Sequence, residues 1–250
     1  MLNFASMKTT LTIIAFICSC VLFAQDPPKK YQKIWDEINE GDPKTAKKQL
    51  SKSLKNNPTD PWLYWMSGIL IDQGDDQGDA KAFYEKALAV DSTFGPAYYN
   101  LASLLDDDSD TDKKIELLSK AIKFYPQNGF SYVSRGELYL KKGLYELAMA
   151  DAESAKKCEL IDLSAIDGLI IEVLHAQGKT RELHSFVKSG NYSDVYHMWN
   201  SSTIDILINV YEELNQPENV CQICKSIQEE YSMLGVPVPE SIAEKLKKCK

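Results

Sequence analysis

The feature that most constrains how this chain can fold is a repeat of 34 residues in its middle part. An aromatic residue and, four positions later, a small residue recur at that interval: Tyr64, Tyr98 and Tyr132, then Gly68, Ala102 and Gly136. A further column of small residues keeps the same register at Ala87, Ala121 and Ala155. A short unit repeated at constant spacing predicts a fold in which neighbouring units stack on one another.

The residue types in these columns predict that each unit is a pair of helices. The aromatic, small and apolar columns of the first half follow the spacing of one helix face. Small residues in both halves of the unit let two antiparallel helices approach closely, and the aromatic side chain fills the space that they leave. Gly143 marks one turn between the paired helices, and Pro58 and Pro126 stand where second helices end.

This pattern resembles the tetratricopeptide repeat. Clear copies cover residues 61–94, 95–128 and 129–162, and residues 27–60 form a divergent copy. Helical periodicity continues in degenerate hairpins over residues 163–233, and residues 240–249 are expected to form a cap helix. The resemblance implies an all-α fold, a right-handed α–α superhelix of about six helical hairpins plus the C-terminal capping helix, as a single domain over residues 25–250.

The first residues are typical of a secretory signal peptide. Lys8 precedes an apolar run from Leu11 to Ala24, which is shorter than the roughly 20 residues that span a bilayer. We expect cleavage after Ala24, no membrane span, and export to the periplasm or cell envelope of a Gram-negative bacterium. The run also contains Ile17-Cys18-Ser19-Cys20, which resembles a lipoprotein box, so a lipid anchor at Cys20 is the alternative.

Charge and motif content exclude several function classes. The net charge of −8 and the pI near 5.0 argue against a protein that tracks nucleic-acid phosphates. The sequence contains no Ser/His/Asp grouping, Gly-rich phosphate loop or paired-carboxylate cleft. We therefore expect a protein that is not an enzyme and has no cofactor.

The resemblance also implies a binding surface. In the family, a set of positions on the first helix of each repeat lines a concave groove that receives a peptide. Those positions carry Trp62, Trp65, Met66, Ile69, Tyr99, Asn100, Ser103, Phe130, Ser134 and Glu137. The Lys/Asn pairs of the family's carboxylate-clamp members are missing, so the expected partner is another protein or a peptide with apolar anchors and some positive charge. The alternative is that the aromatic residues pack between successive hairpins, and Trp35 is expected in the core.

Acidic residues cluster in the turns of two neighbouring repeats. Asp106, Asp108 and Asp110 offer the oxygen-rich ligands that Ca²⁺ prefers. The segment lacks the glycine at position six of an EF-hand loop, and Leu117 replaces the glutamate at its end. Solvated carboxylates that cap helices are the preferred interpretation, and we expect no metal.

Cys221 and Cys224 form a CxxC motif near the C-terminus. A redox site requires the first cysteine at a helix N-terminus, whereas the helix that begins at Pro217 places Cys221 in its second turn. A disulfide from either Cys221 or Cys224 to Cys249 is one alternative, and unpaired thiols are the other.

Together these observations predict a non-catalytic scaffold for protein–protein interaction that binds a peptide segment in an aromatic groove with acidic edges. Two alternatives stay open. One is a structural subunit that joins an envelope complex through its convex face. The other is a redox helper that uses the CxxC motif.

Overall fold

The computed structural model describes residues 27–39, 41–74, 79–106, 109–158, 161, 163–190, 192, 201–233 and 235–249. Over these residues the chain is all-α, with thirteen α-helices, one 3₁₀ turn at Lys29–Tyr31 and no strand. The helices are α1 (Gln32–Asn39), α2 (Pro43–Asn56), α3 (Pro61–Asp72), α4 (Ala80–Val90), α5 (Gly95–Ser103), α6 (Thr111–Phe124), α7 (Gly129–Lys141), α8 (Tyr145–Ala155), α9 (Leu163–Ala176), α10 (Thr180–Ser189), α11 (Ser201–Glu213), α12 (Pro217–Met233) and α13 (Glu240–Leu246).

Local sequence explains where several helices begin. Aspartates cap the N-termini of α2, α3 and α4: the side chain of Asp42 accepts from the backbone N–H of Lys44, that of Asp60 from Trp62, and that of Asp79 from Ala82. A capping carboxylate satisfies a backbone N–H that has no partner within the helix. Pro43 and Pro61 follow their caps, at the position where proline fits a helix best.

The helices agree with the predicted fold class. Six successive pairs follow one another, α1 with α2 through α11 with α12, and α13 comes last. The prediction of an all-α fold built from about six helix pairs and a C-terminal helix is therefore confirmed. The assignment of residues 25–250 to a single domain stays a prediction.

The described chain divides into two compact units, and the first contains the strict repeats over residues 61–94 and 95–128. It ends at Leu138 and also includes Lys157–Ile161. Its main core combines residues of α1 through α5, among them Trp35, Leu50, Leu63 and Tyr84. A Cβ added at Gly68 of α3 would lie 2.4 Å from the ring of Tyr84 in α4. The small column of the repeat is thus required, because the two helices approach closely at this point.

The second unit comprises Tyr139–Lys156 and the chain from Asp162 onward. In this unit α9 packs on α8, α10 and α11, while α12 packs on α11 and α13. Its largest fully buried side chains are Ile166, Ile171, Val173, Leu207, Ile208 and Ile223. Gly178 ends the turn between α9 and α10 with a φ of +67°, a left-handed conformation that glycine adopts without strain.

Some predicted features lie outside the described residues. These are the signal peptide over residues 1–24 and the alternative lipid anchor at Cys20. Among the residues that the structure describes, no helix is both long enough and apolar enough to span a bilayer.

Candidate peptide-binding groove

Four aromatic rings of the first unit form one contiguous cluster. Trp35 of α1 stacks on Trp65 of α3, with ring centroids 5.3 Å apart. Trp62 meets Trp65 edge-on at 5.4 Å and Phe94 at 4.9 Å. Edge-to-face and offset-stacked pairs at these distances add to the stabilisation that burial itself provides. The cluster fixes the first helix pair against the first strict repeat.

A buried hydrogen bond extends this cluster into the next repeat. The indole Nε1–H of Trp65 donates to Oδ1 of Asn100 at 2.7 Å, and both side chains are buried. A buried indole N–H requires an acceptor, since leaving it unpaired would cost the full desolvation penalty. Asn100 therefore supports the packing of α3 against α5.

The structure divides the predicted groove residues into buried and accessible members. Five are buried: Trp65, Met66, Ile69, Tyr99 and Asn100. Trp65, Met66 and Ile69 are at most 1% exposed, so a peptide could not contact them unless helices moved apart. The surface available to a peptide is therefore narrower than the sequence predicts, because α1 places Trp35 over the inner face of α3. Trp35 itself is 4% exposed, which confirms its expected place in the core.

The other five predicted groove residues keep solvent access. Ser103 and Glu137 are exposed, and Trp62, Phe130 and Ser134 are partly buried. Trp62 and Phe130 lie 68 positions apart, at the same place in α3 and α7, near the start of each helix. Phe130 packs beside Tyr99 and Leu138 in a second core cluster. The accessible residues thus comprise two aromatic side chains, two serines and one glutamate.

One contributor to this region was not predicted. Phe94 is 6% exposed and contacts both Trp62 and Trp65. It stands at the last position of the repeat that covers residues 61–94, directly before α5. Its aromatic character at the junction of two helix pairs is the signal that could have indicated a packing role.

The acidic turn after α5 is held together by local hydrogen bonds. Oδ1 of Asp106 accepts from the backbone N–H of Ser109 at 2.9 Å, and Asp110 occupies the N-cap position of α6. Asp108 lies outside the described residues. Over the described part of the chain, no group of three or more His, Cys, Asp or Glu residues is arranged to hold a metal ion. Oδ1 of Asp106 thus accepts hydrogen bonds within its own turn, and the side chain of Asp110 makes no capping hydrogen bond to α6.

The repeat unit itself matches a known family. The family model described as "Tetratricopeptide repeat" matches residues 95–128, which are the residues of α5, α6 and their connecting turns. The chain contains a tetratricopeptide repeat.

Solved structures share the fold of this tetratricopeptide repeat protein. PilW, a type IV pilus biogenesis factor, is 13% identical with a TM-score of 0.60, covering 88% of this chain and 96% of that one. Pseudomonas aeruginosa pilF is 16% identical with a TM-score of 0.63, covering 80% and 90%. YrrB, a TPR protein with an unusual peptide-binding site, is 18% identical with a TM-score of 0.53, covering 80% and 97%.

Relatives identified by sequence are much larger than this tetratricopeptide repeat protein. Protein O-mannosyl-transferase Tmtc3 of Drosophila melanogaster is 24% identical over 115 residues, which are 46% of this chain and 12% of that protein. Tetratricopeptide repeat protein 37 of Xenopus laevis is 22% identical over 174 residues, 66% of this chain and 11% of that protein. The chain therefore spans about an eighth of the length of the relatives it matches.

One disulfide bond links two cysteines of the second unit. A disulfide joins Cys221 in α12 to Cys249, just beyond α13, and Cys224 is a free and fully buried thiol. Burial raises the pKa of the Cys224 thiol, which reduces the thiolate that a redox reaction requires. The two cysteines of the CxxC motif are thus not bonded to each other.

Proposed function

We propose that this tetratricopeptide repeat protein is a non-catalytic scaffold that binds a peptide segment of another protein. The tetratricopeptide repeat fold indicates a protein–protein interaction scaffold. We propose further that the peptide lies along the accessible surface formed by Trp62, Ser103, Phe130, Ser134 and Glu137. This choice rests on one observation: these are the predicted groove residues that keep solvent access, whereas the other five are buried.

The chemistry of this surface favours a particular kind of peptide. The partly buried rings of Trp62 and Phe130 offer apolar edges on which aliphatic or aromatic anchors can pack. The exposed carboxylate of Glu137, in a chain of net charge −8, favours a peptide that carries positive charge. YrrB, which has the same fold, is described as a TPR protein with an unusual peptide-binding site, and this supports the proposal.

We also propose that the chain is exported to the periplasm or envelope of a Gram-negative bacterium. The apolar run from Leu11 to Ala24 supports this location, as do structural neighbours described as a pilus biogenesis factor and as pilF. Fractionation of the native host would find the protein outside the cytoplasm. Recovery in the cytosol with residues 1–24 still attached would contradict export.

The groove proposal can be tested without disturbing the core. A phage-displayed library of random peptides is selected against the protein, and an enriched peptide is synthesised and titrated. Ser103→Arg/Glu137→Lys adds bulk and positive charge to the accessible surface, and we expect it to weaken binding at least about tenfold. The control Ser51→Arg/Glu85→Lys makes the same charge change at exposed positions of α2 and α4 and should bind like the wild type.

Two results would count against the groove. The first is enrichment of peptides without apolar anchors or positive charge. The second is binding that survives the groove variant but is lost in the control, which would place the partner on the second helices and favour the convex-face alternative.

A further inference from the structure

Helix α2 carries a concentration of positive charge that the groove does not use. Residues 43–59 contain five lysines and no acidic residue, although the whole chain has a net charge of −8. Lys44, Lys48, Lys52 and Lys55 are all exposed, whereas Ala46 and Leu50 of the same helix are 0% and 2% exposed. The acidic side chains near the start of α2 make hydrogen bonds at the N-terminus of this helix. Asp42 caps α2, and Glu37 accepts from the backbone N–H of Asp42.

Helix geometry places the four lysines in one row. At about 100° per residue, their positions fall within roughly 80° of one another, on the face directly opposite Ala46 and Leu50. The row extends about 17 Å along the helix axis, at the rise of an α-helix. We call Lys44, Lys48, Lys52 and Lys55 the lysine row. It lies on the solvent side of the first helix pair, away from the aromatic cluster.

The residue types of the lysine row discriminate between possible partners. Protein–protein interfaces are depleted in lysine at their cores and need apolar anchors, and the row contains none. Nucleic-acid sites combine basic residues with arginine or stacking aromatics, and the helix face that carries the lysine row contains neither. A fluid bilayer needs no fixed pocket, because anionic lipids diffuse laterally to positions beneath flexible ammonium groups.

We propose that the lysine row is an electrostatic docking surface for a bilayer that contains anionic phospholipids. Charge complementarity carries this choice, and the position of the row along the chain adds to it. Lys44 follows Ala24, the last residue of the apolar run, by 20 residues. A lipid on Cys20, the alternative to cleavage after Ala24, would keep the first helix pair beside the lipid headgroups. The proposal goes beyond peptide binding and uses a different face.

Vesicle co-sedimentation tests this surface. The full-length protein is mixed with vesicles of phosphatidylcholine alone, or with 30% phosphatidylglycerol, in about 0.1 M salt, where the Debye length is about 10 Å. Each lysine near an anionic surface changes partitioning about fivefold, so Lys44→Gln/Lys48→Gln/Lys52→Gln/Lys55→Gln is expected to lose roughly 100-fold or more. The double variant Lys48→Gln/Lys52→Gln should lose about 25-fold, and raising the salt to about 0.5 M should release the wild type.

The matched control neutralises four other exposed lysines, Lys113, Lys157, Lys225 and Lys247. It has the same net charge as the row variant and should bind anionic vesicles like the wild type. All proteins keep residues 1–26, so their contribution is the same throughout, and circular dichroism confirms that each variant is folded.

Three results would overturn the assignment. Equal binding of the wild type to neutral and anionic vesicles would show that binding is not electrostatic. Equal losses in the row variant and the control show that net charge, not the row, is responsible. Row-dependent self-association in sedimentation velocity, without vesicle binding, would assign the row to an acidic protein surface.

Discussion

Opening the Cys221–Cys249 disulfide should remove a large share of the stability of the second unit. The bond closes a sequence separation of 28 residues and joins α12 to the end of α13. For a loop of this length, the loss of chain entropy in the unfolded state stabilises the fold by about 3.5 kcal/mol at 25 °C. Most domains are stable by only about 5–15 kcal/mol, so the change should be readily measurable.

The assay is urea unfolding followed by circular dichroism, with and without reductant. We expect the reduced wild type and oxidised Cys221→Ala/Cys249→Ala to lose about 3.5 kcal/mol in free energy of unfolding, and the variant to show no response to reductant. Cys224→Ala is the matched control. It alters a fully buried thiol, yet it should keep the response to reductant of the wild type.

The reasoning fails if reduction leaves the unfolding midpoint unchanged while thiol labelling proves that the bond has opened. That result would mean that α13 unfolds independently of the rest of the unit. Peptide mapping of the oxidised protein supplies a second check, because a Cys224–Cys249 bond would contradict the observed pairing.

Three further changes test the first unit. Gly68→Ala should destabilise by about 1–3 kcal/mol in thermal unfolding, because the new Cβ meets the ring of Tyr84; greater stability would refute the close approach. Asp60→Ala should cost about 1–2 kcal/mol in urea unfolding, because Asp60 caps α3 and also accepts from Lys30 and Tyr31; an unchanged midpoint would contradict this role. Hydrogen bonds from Thr45 and the backbone of Lys44 lower the pKa of Asp42 below its ordinary 3.8. Asp42 therefore stabilises the fold above pH 3.8, and this contribution is lost as the pH falls through the lowered value. Melting curves should show Asp42→Ala below the wild type at pH 7, and the gap should close in acid; a gap that is independent of pH would show that the carboxylate charge plays no part.

The sequence predicts the fold well because its signal is local and repeated. The column containing Gly68 requires a small residue wherever two helices come close, and the aromatic partner appears as Tyr84 in the structure. Each repeat restates the same constraint, so an error in one unit does not alter the fold class. The aspartates at helix N-caps can be predicted from the sequence for the same reason, because capping involves residues only two or three positions apart.

The groove is predicted less well, because burial depends on the neighbouring helix pair. A repeat position tells which face of α3 carries Trp65, but it does not tell what lies above that face. The first pair is the divergent copy, and it places Trp35 on Trp65 at a centroid distance of 5.3 Å. Similarly, the spacing of Cys221 and Cys224 allows either to reach Cys249. The observed Cα–Cα distance of 5.5 Å between Cys221 and Cys249 depends on how α13 packs on α12.

The distribution of chromophores and sulfur atoms provides two reporters that are already present in the chain. Three of the four tryptophans lie in the first unit, where Trp65 contacts both Trp35 and Trp62, whereas the disulfide and Cys224 belong to the second. Intrinsic fluorescence is therefore weighted toward the first unit, and alkylation of the buried Cys224, assigned by peptide mapping, follows the second unit. A single unlabelled sample can show whether the two halves melt together or in succession.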